Sequence, residues 1–148
     1  MKYLLAATAI MAATVVQADE KLDWVEAEGT VQEAMDRLEA AVEEAGATVF
    51  ARIDHGQGAK DVDMSLPNSQ LLIFGNPKLG TPVMQENFRA GLVLPLRVLA
   101  VWDQDKTWFV YQEPHQMLIS VNGDSGVEEI DKMHEALKSL TEKAADAN

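Results

Sequence analysis

Two capping boxes, one near each end of the chain, constrain the fold more than any other feature. Thr30 with Glu33 and Ser125 with Glu128 each set a hydroxyl three positions before a carboxylate. That pairing satisfies backbone N–H groups otherwise unpaired where a helix begins. After the first box, Val31, Ala34, Met35, Leu38, Ala41, Val42 and Ala45 recur at helical spacing, and Gly46 stands where a left-handed residue ends a helix. After the second, the apolar face is Ile130, Met133, Leu137 and Leu140. Lys138 and Lys143 lie toward its C-terminal end, where positive charge suits the helix dipole. The Ala-rich tail beyond is expected to fray.

Between the boxes the apolar period falls to two. Thr48 to Asp54 alternates as a strand, and a polar loop leads to Pro67. Gln70 to Phe74 is apolar throughout and reads as a largely buried strand. Thr81-Pro82 is expected to cap and open a short helix that Gly91 ends. Leu96–Trp102 and Thr107–Gln112 flank the turn at 103–106 and form an antiparallel hairpin. Residues 22–28 are expected to pair as a first strand, with Trp24 as an anchor. Glu113-Pro114 breaks the hairpin, and one short element follows between His115 and Val121. The order β-α-β-β-(short α)-β-β-α describes an α+β two-layer sandwich, a mostly antiparallel sheet with helices on one face.

Residues 1–18 have the three parts of a secretory signal: Lys2, an uncharged stretch from Tyr3 to Val16, and small residues at Val16 and Ala18 before acidic Asp19-Glu20. The stretch is short and diluted for a membrane anchor. Cleavage after Ala18 is the expectation, leaving a single domain, residues 19–148, in the periplasm or outside the cell. The chain has no cysteine, so packing alone must hold the fold and thiol chemistry is excluded. Lys+Arg number 12 against 24 Asp+Glu, a net charge of −12. That balance opposes nucleic acid, whose binding draws on surplus cations, and equally an anionic membrane after cleavage.

Three stretches carry a family resemblance: Phe50-Ala51-Arg52-Ile53-Asp54-His55, the long run from Leu72 through Gly75-Asn76-Pro77 and Gly80-Thr81-Pro82 to Gln85, and Leu94-Pro95-Leu96-Arg97-Val98-Leu99. In them the chain resembles the domain of unknown function 302 family across essentially the whole of residues 19–148. The resemblance implies a compact fold with two helices on one sheet, often a homodimer, and no proven reaction. The chain departs from the family pattern at Gly56-Gln57-Gly58 and Val62-Asp63-Met64, after the Ile-Asp-His run.

Asp54-His55, at a strand end, is the best candidate for chemistry, because a neutral imidazole can serve as base, ligand or donor near neutral pH. Its structural alternative is a loop cap. Gly75, Asn76, Gly80 and Thr81 have a full account as turn and cap residues, and an alternative one as a pocket wall. They match no nucleotide-binding pattern. His55, His115, His134 and the methionines lack metal-ligand spacing, and no metal or cofactor is expected.

The expectation is therefore a non-catalytic exported domain that binds a small molecule or a protein partner. Its pocket would be walled by Asp54-His55, the Gly75–Thr81 turn and the hairpin aromatics Trp102, Trp108 and Tyr111. Two alternatives stand beside it: an enzyme using His55, oriented by Asp54, as general base, and a homodimeric interaction protein without a pocket.

Overall fold

The computed structural model describes residues 22–123 and 128–147. Residues 1–18, expected to be a signal, and Ser125 of the second capping box lie outside them. Strands β1 (Leu22–Ala27), β2 (Thr48–Asp54), β3 (Ser69–Gly75), β4 (Leu96–Asp103) and β5 (Lys106–Gln112) form one sheet in the order β1-β5-β4-β3-β2. Every neighbouring pair is antiparallel. The helices are α1 (Val31–Glu44), α2 (His55–Lys60), α3 (Pro77–Glu86), α4 (Pro114–Ile119) and α5 (Glu128–Ala145). This is the expected α+β sandwich.

Strand alternation sorts the sheet into two faces. Toward the helices point Leu72, Phe74, Val98, Ala100 and Phe109, all buried. They meet Met35, Leu38 and Val42 of α1 and Ile130 and Leu137 of α5 in one core. Each of the larger side chains contributes about 1.5–3 kcal/mol by leaving water. The opposite face carries Trp24, Trp108, Val110, Leu99, Leu71 and Ile73, which the ladder register sets side by side. Helices α1, α3, α4 and α5 pack against one another and the core on the first side, so among the described residues this second face has no helical layer. Trp24 is thus no buried anchor: it is 52% exposed, edge-on to Trp108 with centroids 6.1 Å apart.

The first capping box forms as its spacing requires. The Glu33 backbone N donates to the Thr30 hydroxyl at 3.2 Å, and the Thr30 backbone N donates to the Glu33 carboxylate at 2.9 Å. Gly46 takes φ +74° just past the helix. The β4–β5 turn runs through Gln104 and Asp105, both at positive φ, the backbone that suits the twist of a two-residue hairpin.

Three expectations change. Part of the polar loop after β2 is helix α2, because the Asp54 carboxylate accepts the Gln57 N–H at 2.7 Å and caps it. Gly56, which reads as a loop residue, is buried within it near Pro67 and Asn68. Helix α3 starts at Pro77, four residues before Thr81, because the Asn76 side chain accepts the Lys78 N–H at 2.9 Å. Thr81-Pro82 lies inside that helix, and a short 3-10 turn, Phe88–Leu92, follows it. The Ala-rich tail is held: Arg37 donates to the carbonyls of Ala144 at 2.8 Å and Glu28 at 2.6 Å, and the Glu28 N–H donates to Ala145.

Candidate functional site

The bend from β3 into α3 opens a cavity of about 340 Å³ at one end of the sheet. Gly75, Asn76, Pro77, Gly80 and Thr81 form one wall, and Leu94 to Leu96 form another. Its floor includes Met133 of α5 and Leu96, both buried, while Phe50 and Met84 stand 56% and 37% exposed at its rim. Not one lining residue is ionisable, and Asn76 and Thr81 are its polar side chains. A site of this kind suits an uncharged, largely apolar molecule oriented by a few polar contacts.

Glycine makes the space. Gly75, Gly80 and Gly91 all line the cavity, and none has a positive φ. A Cβ on Gly80 would come no closer than 3.9 Å to Met84 and 4.0 Å to Leu94, an ordinary contact. Gly80 also lies within a helix, where glycine costs about 1 kcal/mol relative to alanine. Backbone conformation and local packing therefore give no reason for glycine at this position.

The other candidates lie elsewhere. Asp54 pairs with Gln70 at the far end of β3 from Gly75, about 17 Å away at five residues of strand rise. It borders a second, polar cleft of about 210 Å³ with Gln32, Asn68, Ser69 and Gln70. The polar groups there already answer one another. The buried Gln70 amide donates to Gln32 at 2.9 Å and Asp54 at 3.2 Å and accepts from Arg52 at 2.9 Å, while Arg52 pairs with Asp36 at 2.6 Å and Glu39 at 2.8 Å. The Asp54 side chain thus works as a helix cap and a tie to the sheet. His55 is exposed at the start of α2 and lines neither of these two cavities.

Tyr111 is buried on the helix side of β5, and burial pushes its phenol above the ordinary value of 10, partly offset by a hydrogen bond with Thr141. It is a core residue. Trp102 and Trp108 belong to the opposite end of the sheet from the Gly75–Thr81 turn, beside the β4–β5 hairpin. The composite pocket expected from the sequence is therefore split, with the glycine turn in the wall of one cavity and Asp54 at the border of another.

Sequence reasoning missed a cluster around buried Glu113. Its carboxylate accepts the backbone N–H groups of His115 and Gln116, both at 3.1 Å, and caps α4. The same carboxylate lies 3.3 Å from His134 Nδ1, and His115 Nε2 lies 3.1 Å from Asp131. His134 Nδ1 is buried there and makes no hydrogen bond among the described residues. Among the described residues no group of three or more His, Asp or Glu could hold a metal ion.

The family model described as "Domain of unknown function DUF302" matches residues 24–146. The chain belongs to the DUF302 family. A crystal structure of an uncharacterized conserved DUF302 protein from Bacillus stearothermophilus superposes with a TM-score of 0.76, covering 83% of this chain and 97% of that one. At 17% identity that likeness speaks to the fold alone. In sequence, the chain is 42% identical over 98 residues to Fluoride-specific ion channel FluC 1 of Brucella suis biovar 1 (strain 1330). The same identity links it to FluC 2 of Brucella melitensis biotype 1 (strain ATCC 23456 / CCUG 17765 / NCTC 10094 / 16M). Those matches cover 65% of this DUF302 chain but only 38% and 36% of the channel proteins. No helix among the described residues is long and apolar enough to cross a membrane.

Proposed function

We propose that this DUF302 protein is a non-catalytic, exported domain that binds a small, uncharged, apolar molecule in the cavity at the head of α3. The observation that carries the reading is the trio of glycines in the cavity wall, above all Gly80, kept inside a helix at an energetic cost with no conformational or close-contact reason. A wall without ionisable groups selects against charged ligands, since nothing in it repays their desolvation. Titration with an uncharged, environment-sensitive naphthylamine dye tests this directly. Saturable binding that neutral apolar compounds displace is the expected result. Absence of saturable binding, or equal displacement by small charged metabolites, contradicts it.

Export rests on the signal pattern of residues 1–18. The intact mass of the protein released from the periplasm is expected to begin at Asp19; retention of Met1 to Ala18 would refute cleavage.

A second reading comes from the channel relatives. There a segment similar to this chain shares one polypeptide with a protein named as a fluoride channel. By that reading the domain acts beside a membrane channel, and it is expected to co-purify with such a channel under mild detergent.

A further inference from the structure

We propose that the mouth of the cavity is a docking surface for an anionic phospholipid membrane, with Phe88 and Leu92 entering the bilayer and Lys78, Arg89 and Arg97 meeting its phosphates. Two observations carry it. The first is an exposed apolar tip. Phe88 and Leu92 are the two most exposed large apolar side chains of the described residues, at 79% and 76%. Both stand on the 3-10 turn that follows α3, and Gly91 between them lines the cavity beside Met84. Phe50 and Met84 continue the apolar rim. A narrow turn of this kind offers little flat area to a folded partner, but it can sink into the boundary between lipid headgroups and acyl chains.

The second is charge. The chain has 24 acidic residues against 12 basic ones, yet between Asn76 and Val98 its charged residues are Lys78, Arg89, Arg97 and a single acid, Glu86. All three cations are exposed. Arg52, Lys106, Lys132 and Lys143 each hold a carboxylate; these three hold none among the described residues. Lys60 and Lys138 share that state, but one at a time, on α2 and on α5. Arg89 lies over the Phe88 ring, 5.4 Å from its centroid, and Arg97 donates to the Val93 carbonyl at 3.1 Å, just past the same turn. Glu43 and Glu44 end α1 before β2 begins at this end of the sheet, and Glu44 is bridged to Lys143.

Cations without carboxylate partners around an apolar tip are the pattern of an interfacial anchor, and its complement is anionic lipid. The net charge of −12 opposes that approach only at long range. Screening acts over about 8 Å at physiological salt, so the charges at the contact decide the outcome. On the reading that the cavity takes an apolar ligand, docking here holds its mouth at the phase in which such a molecule dissolves.

Co-sedimentation of the purified chain with vesicles at physiological salt tests the docking. Vesicles of phosphatidylcholine mixed equally with phosphatidylglycerol are expected to bind it at least about fivefold more tightly than phosphatidylcholine alone. Phe88→Asp is expected to weaken binding at least about tenfold, and Arg89→Gln about fivefold on the mixed vesicles. Val62→Asp, 64% exposed but beyond α2 at the other end of the sheet, is expected to change nothing. Circular dichroism confirms that each variant folds; if Phe88→Asp does not, Leu92→Asp replaces it. A wild type that ignores both vesicle types overturns the proposal and leaves the turn to a protein partner. Binding indifferent to Phe88→Asp, or equal on both vesicle types, overturns it too. Dye binding is measured without vesicles, so the two readings separate. A chain that binds dye but no vesicle refutes the docking alone; one that binds vesicles but no dye supports the docking and refutes the ligand.

Discussion

At the scale of single residues, caps and carboxylates do most of the explaining. Asp54 closes α2 and steadies Gln70, so Asp54→Ala is expected to lower stability by about 1 kcal/mol, the usual cost of a lost N-cap. Urea unfolding measures this, and dye binding in the cavity should not change. His55→Ala, at an exposed position, should stay within about 0.5 kcal/mol of wild type. Glu33 carries a pH signature. Hydrogen bonds from the backbone and hydroxyl of Thr30 hold its carboxyl below the ordinary value of 4.5, and the bridge from Lys143 does the same for Glu44. Below 4.5 the unfolded chain takes up these protons before the folded one does. The stability these groups contribute is therefore complete above that pH and lost as pH falls through their folded values. Thermal melts from pH 6 downward are expected to show this loss, and Glu33→Gln should flatten part of the slope. A Glu33→Gln profile identical to wild type would contradict the assignment.

At the scale of elements, helix α1, the five strands and the apolar face of α5 follow from the sequence because their periodicity and caps are local. Helix α2 was hidden by Gly56 and Gly58, which argue for loop on propensity; a side-chain cap and close packing on Pro67 and Asn68 override it. The start of α3 was misplaced because Asn76-Pro77 and Thr81-Pro82 offer the same cap-and-proline signal, and only the first is used. The candidate site was half legible for a related reason. Gly75, Asn76, Gly80 and Thr81 stand in one run, whereas Phe50, Leu96 and Met133 reach the same cavity from three distant elements. Their convergence is set by strand register, which no local pattern encodes. The tail is the other case. An alanine run looks prone to fray, but Arg37, distant in sequence, donates to its carbonyls. Arg37→Ala is expected to cost about 1.5–3 kcal/mol, as charged hydrogen bonds do. It should also speed carboxypeptidase trimming into residues 144–147; an unchanged trimming rate would show the tail is held by packing alone.

At the scale of the whole molecule, one sheet separates two kinds of surface. One side carries the core and, at its end, the cavity; the other is apolar and, among the described residues, uncovered by helices. In this chain a glycine-lined hollow lies between α3 and the start of β4. The central claim is that this hollow is kept empty for a ligand, and Gly80→Leu tests it most directly. The leucine would extend between Met84 and Leu94, while replacing glycine in a helix favours stability by about 1 kcal/mol. The account predicts that Gly80→Leu melts higher than wild type, by about 3 °C, and no longer binds the apolar dye. A variant that binds the dye as well as wild type would contradict it.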